Sequence, residues 1–160
     1  MKRKTRFLTY GAIIAAMYVA LTFVASALGL ASGVVQVRLS EALTILPLFT
    51  PAAVPGLFIG CILANVLTGC AVWDVVFGSL ATLLGALGTY WCRKRSKYLA
   101  PVFPVLANAV IVPFVLQYVY GAPDAWIFLF ATVGIGEIIS CGVLGLLLHK
   151  VLERTNIFNR

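Results

Sequence analysis

Glu137 is a carboxylate inside the run AWIFLFATVGIGEIISCGVLGLLL, with no basic residue within a helical turn of it. An ionisable group at the centre of a bilayer costs about 2.5–3.5 kcal/mol on insertion scales, which makes it a functional-site candidate by default. It lies twelve residues beyond Ala125, about 18 Å along a helix at 1.5 Å per residue, close to the midplane of a span. Gly134, Ser140 and Cys141 share its helical face and are all small, leaving room for a ligand or a close helix. Asn108 sits at a comparable depth in the preceding apolar run, and Gln117 lies two turns nearer that run's far end. Glu41 enters another apolar run with Arg38 three residues before it, and Trp73 and Asp74 open a fourth. Carboxylates, amides, one guanidinium and an indole together suit a flat, hydrogen-bonding, cationic ligand, with aromatic surface for stacking and cation–π contact. Each residue also has a plainer use. Asn108 and Gln117 can hydrogen-bond between helices, and Asp74 can cap a helix N-terminus. Glu41 can pair with Arg38 at i,i+3, and Glu137 can meet a buried amide or stay protonated.

The elements that must position these groups are membrane spans. Hydrophobic residues make up 62% of the 160 residues and charged residues 11%, the composition of an integral membrane protein rather than a soluble domain. A net charge of +7 would suggest nucleic acid in a soluble chain. Here the bases form short clusters between apolar runs, the pattern of topology signals, so no nucleic-acid partner is expected. Cys61, Cys70, Cys92 and Cys141 stand singly, without CxxC or Cys/His spacing, so no metal, disulfide or cofactor is expected. GxSG, HExxH and the phosphate-binding GxxxxGK[ST] are absent, and the lone His149 suits a helix C-terminus. Neither catalysis nor a built-in ATPase motor is expected.

Apolar runs fall at 7–28, 39–48, 52–67, 74–91, 99–119 and 125–148, which predicts one domain, an all-α bundle of six transmembrane helices. Pro47, Pro51 and Pro55 crowd the second and third runs into a bent hairpin. Lys2, Arg3, Lys4 and Arg6, then Arg93, Lys94, Arg95 and Lys97, then Lys150, Arg154 and Arg160 share one side of a six-span layout. The positive-inside rule makes that side cytoplasmic, with both termini in. On the outer side, Val35, Val37 and Leu39 alternate with Gln36, Arg38 and Ser40 through the segment 34–40. Such alternation predicts a short extended piece, either a lid over a cavity or an interfacial connector. The basic start, apolar run and Ala25-Ser26-Ala27 also resemble a cleavable signal, but the run exceeds a typical signal core, so retention is expected.

Ala12, Ala16 and Ala20 align on one face of the first span as a small-xxx-small surface. Gly56, Gly60 and Ala64 repeat the pattern in the third, and Gly78, Ala81, Gly85 and Gly88 in the fourth. The stretches VQVRLSEALTILPLFTPAAVPGLFIGCILANVLTG and WDVVFGSLATLLGALGTYWCRK resemble the QueT family of queuosine-precursor transporters, and the likeness covers nearly the whole chain. That resemblance implies a substrate-binding S component of an energy-coupling factor transporter in the cell membrane. Such a subunit captures a vitamin-like solute and docks on a transmembrane coupling protein with two ATPase subunits. It further implies docking through an AxxxA surface, matched by Ala12, Ala16 and Ala20, and gating by the first outer loop, which ends at Arg38. The implied ligand is a 7-deazaguanine such as 7-aminomethyl-7-deazaguanine or queuine. Its N–H edge calls for a carboxylate and its carbonyl for a donor. For that ligand, Glu137 is the favoured reader of the edge, with Asn108 or Gln117 completing it, Trp73 stacking, and Asp74 or Glu41 holding the amine. The alternatives are an S component for another vitamin, a proton-coupled carrier using Glu137, and a non-transporting scaffold.

Overall fold

A computed structural model describes residues 2–31 and 35–155. Val34 and Arg160, both used in the readings above, lie outside the described residues. The order of elements is α1 (Lys2–Ala27), a 3-10 helix (Leu39–Leu48), α2 (Ala53–Leu67), α3 (Val72–Cys92), α4 (Val102–Tyr118), α5 (Trp126–Glu137), a π-helical segment (Ile138–Leu144) and α6 (Gly145–Thr155). Among the described residues there is no strand. Three helical stretches, Arg3–Ala27, Val72–Cys92 and Trp126–Thr155, are long and apolar enough to cross a membrane. Leu39–Leu48, Ala53–Leu67 and Val102–Tyr118 are shorter apolar helices. Large apolar side chains face outward along the rods, with Val72 75% and Ile127 76% exposed, the reverse of a water-soluble surface and the expected one where lipid is the solvent.

Contacts fix the directions of the rods. A methyl group added at Gly56 would lie 2.7 Å from the Gly11 carbonyl oxygen, and one at Gly60 would lie 2.8 Å from Tyr18 Cβ, so α1 and α2 run parallel at close range. The 3-10 helix returns between them. Gly85 sits against Pro104, and a methyl at Gly88 would overlap the Phe103 ring, so α3 and α4 are antiparallel. Lys97 meets Glu153 at 3.1 Å, and Tyr10 of α1 lines a groove with Leu148 and Leu152 of α6. The described parts of the three basic clusters therefore share one end of the bundle. At that end Arg93 lies 4.2 Å over the Tyr90 ring and Arg95 4.7 Å over Trp91, pairings typical of interfacial anchors.

The α1–α2 seam yields a direct test. Gly60→Val places branched atoms where Ala15 and Tyr18 already sit, so it is expected to destabilise the fold by about 1–3 kcal/mol. At Gly134 an added methyl finds only Ala109 Cβ, at 3.8 Å, so Gly134→Ala should be nearly silent. Thermal unfolding of the two purified variants compares them.

The second apolar run differs from a lipid-facing span. Ser40 through Pro47 are all buried, so this 3-10 helix is the central rod, packed by α1, α2, α3, α6 and the π-helical segment. Prolines still shape its exit. Pro47 lies inside its last turn, and Pro55 falls in the first turn of α2, where a missing N–H is harmless. The extended piece is present in shortened form. Residues 36–38 are non-helical and Arg38 is extended, but Leu39 and Ser40 already belong to the 3-10 helix.

Candidate functional site

Glu41 lies in the first turn of the 3-10 helix and is fully buried. Its Oε1 accepts hydrogen bonds from the Tyr18 hydroxyl of α1 and from Thr82 Oγ1 of α3, the latter at 3.2 Å. Its Oε2 has no protein partner. Glu137, at the last turn of α5, is 5% exposed, and Cys141 Sγ donates to its Oε2 at 3.2 Å. One carboxylate oxygen each from Glu41 and Glu137 and the Cys141 Sγ all lie within 4.8 Å of one another. Ninety-six positions separate the two acids in the chain, yet the central rod and the α5–π junction bring them together.

Arg38 supplies the local positive charge and interacts electrostatically with Glu137, Asp74 and Glu41. Its backbone N–H donates to Ser140 Oγ at 3.1 Å, and that hydroxyl donates to the Gly136 carbonyl at 2.8 Å. Gly136 itself lies directly under the Gln36 carbonyl, where a Cβ would overlap it. Only glycine permits that approach, so segment 36–38 is seated on α5 and on the π-helical turn. Such a turn, wider than an α-helix, is frequent at functional sites.

A 320 Å³ cavity opens above the carboxylates at the end of the bundle opposite the basic clusters, within the size range of small-ligand sites. Tyr18, Thr22 and Ser26 of α1 form one wall, Gln36, Arg38 and Ser40 another, and Asn65, Thr68 and Asp74 a third. Asp74 is 7% exposed and accepts from the Tyr120 hydroxyl at 3.0 Å. Tyr120 in turn accepts from the Ala71 N–H at 3.1 Å. Burial, with Asp74 adding to it, holds the Tyr120 phenol above its ordinary value, so it remains a donor to that carboxylate.

The candidate residues thus divide. Arg38 and Asp74 line the cavity, while Glu41 and Glu137 lie beneath its floor. Asn108 is 1% exposed and donates to the Pro104 carbonyl at 3.2 Å, leaving its Oδ1 unpartnered, and it lines no part of the cavity. Gln117 is half-buried and likewise outside the wall. Trp73 is 59% exposed, stacks on Phe77 at 5.9 Å, and lines a separate apolar groove with Phe114 and Tyr118. Successive helical residues point about 100° apart, so Asp74 facing the cavity turns Trp73 toward the lipid side. Tyr18, Thr22, Ser26, Asn65 and Thr82 escaped the sequence reading. The first three recur every four residues on α1, a polar stripe that could have revealed them. Ala12, Ala16 and Ala20 are exposed on the opposite side of α1.

Comparison with known proteins places the chain in context. The family described as QueT transporter matches residues 8–154. A curated relative, the queuosine precursor transporter QueT of Lactococcus lactis subsp. cremoris (strain MG1363), is 26% identical, with 98% of each chain covered. No solved structure matches.

Proposed function

We propose, from the premise that the chain belongs to the QueT transporter family and is a membrane transporter rather than an enzyme, that it imports a 7-deazaguanine precursor of queuosine. In this reading it is the substrate-binding S component of an energy-coupling factor transporter. It crosses the cell membrane six times with both termini cytoplasmic. The shared end of the basic clusters supports that orientation under the positive-inside rule, and the 320 Å³ cavity then faces outward. The likeness to the Lactococcus transporter supports the ligand class.

The observation that carries the reading is the buried Glu41, whose Oε2 has no partner. A buried acceptor without a donor is costly, by about 1–3 kcal/mol. The adjacent N–H donors of a guanine-like edge satisfy such an oxygen. Glu41 rather than Glu137 is therefore our choice for that edge, because of the two acids only Glu41 carries a buried oxygen without a partner among the described residues. Arg38 faces the ligand carbonyl, Asp74 the aminomethyl cation, and Glu137 supports the pair from below. Asn108 and Gln117 serve helix packing, and Trp73 contacts lipid. The exposed Ala12, Ala16 and Ala20 face receives the coupling protein, which brings the two ATPase subunits.

Calorimetry of the purified protein against 7-aminomethyl-7-deazaguanine, queuine, guanine and common vitamins tests the substrate. A deazaguanine is expected to bind most tightly, and binding of another vitamin with no response to any deazaguanine would overturn the assignment. The close approach of Glu41 and Glu137 also favours a second reading, a proton-coupled carrier. Uptake by vesicles without ATPase partners, abolished by a protonophore, would select it.

A further inference from the structure

The cavity stops short of the carboxylates it serves, and one side chain stands between them. Tyr18 lines the cavity and hydrogen-bonds Glu41, whereas Glu41 has no exposed surface. Its Oε1 holds two hydroxyl donors and its Oε2 none, although a carboxylate offers about four acceptor positions. Beside Tyr18, the Thr22 and Ser40 hydroxyls hydrogen-bond at 3.0 Å, linking α1 to the central rod.

From this we infer that Tyr18 is a gate, its phenol O–H occupying the place of a ligand N–H on Glu41. The ligand descends from the cavity, takes the donor position on Glu41 and displaces the phenol through a side-chain rotation. The displaced ring remains beside the ligand as the flat surface against which it stacks, the part that Trp73 on the lipid side does not fill. Thr82 donates to the same Oε1 but is 1% exposed and lines no part of the cavity, so it holds the carboxylate without barring it. The identity of the ligand rests on the substrate reading above, whereas the gate itself does not.

Carboxylate labelling separates the two. The full-length protein in lipid nanodiscs is treated with a water-soluble carbodiimide and glycinamide, and modification is read by peptide mass spectrometry. Exposed Glu153, at the opposite end of the bundle, serves as the internal reference. In Tyr18→Phe, labelling of Glu41 is expected to accelerate at least about tenfold, the population change that follows loss of one hydrogen bond to a charged acceptor. Thr82→Val removes a donor from the same oxygen without opening a path, and is expected to leave the rate near that of the parent. No acceleration in Tyr18→Phe, or equal acceleration in both variants, would overturn the gate. Should Tyr18→Phe fold poorly, Tyr18→Met removes the same hydroxyl and is read the same way. Adding 7-aminomethyl-7-deazaguanine to Tyr18→Phe is expected to protect Glu41. Acceleration without protection by any deazaguanine leaves the gate standing and sinks the substrate reading, and protection without acceleration does the opposite.

Discussion

Glu41→Gln is expected to weaken deazaguanine binding by about 2–3 kcal/mol, roughly 30- to 150-fold in Kd. The change keeps the side chain's shape and one acceptor oxygen, so the hydrogen bonds from Tyr18 and Thr82 survive and the central rod should remain seated. What disappears is the second acceptor. In its place stands an amide N–H₂ that confronts the ligand's own N–H donors, and a buried donor facing a donor is left unmade. Glu137→Gln should weaken binding less, by under about tenfold, because in the proposed site it only supports Glu41 from below and Cys141 can still donate to an amide oxygen. Calorimetry on the three proteins, each checked by thermal unfolding, decides the assignment. A silent Glu41→Gln beside a crippling Glu137→Gln would move the edge-reading role to α5.

Ala16→Leu is expected to leave ligand binding within about twofold of the parent, as for surface substitutions. It should lower ATP-driven uptake at least about tenfold, as overpacking of a close helix interface would. The residue is exposed on the outside of α1, two positions before Tyr18, with Ala12 and Ala20 on the same stripe. Leucine is at least as soluble in lipid tails as alanine, so nothing in an isolated subunit opposes it. A close-packed partner helix does oppose it, because small residues are what let two backbones approach. Binding by calorimetry and uptake in reconstituted vesicles with the complete transporter give the two readouts. Parallel loss of both would show that the stripe packs within this chain, and unchanged uptake would remove it from the docking surface.

The parts of the molecule that were legible in the sequence are those that local physics decides. Long apolar runs located most helix ends to within about three residues, but α1 begins five residues before its run, α6 ends seven beyond its run, and the π-helical break in the last run was not foreseen. Gly56, Gly60, Gly85 and Gly88 marked the seams where helices touch. The central rod was located but not understood. LSEALTILPL is buried on every side, so it shows no apolar stripe to distinguish a core helix from a lipid-facing one. Glu41 and Glu137 were already grouped in one pocket, but their direct approach was out of reach for a different reason, since no local signal joins residues so distant in the chain. Trp73 and Asp74 show the limit of adjacency. They share a helix end and a polar neighbourhood in sequence, yet one turns to the cavity and the other to the groove beside Phe77.

The buried 3-10 helix has a consequence for how the protein is made. Ten residues at about 2 Å each rise only about 20 Å, short of the ~30 Å hydrocarbon layer, and the segment carries an acid whose insertion alone is unfavourable. No insertion machinery that judges segments one by one would place it in the bilayer. On the proposed membrane reading it is drawn in by the helices that pack around it, its carboxylate arriving together with Tyr18 and Thr82. On the proposed role of Glu41, a chain that has not finished assembling has no edge with which to read a ligand, and capture of solute would itself be the sign that biogenesis is complete.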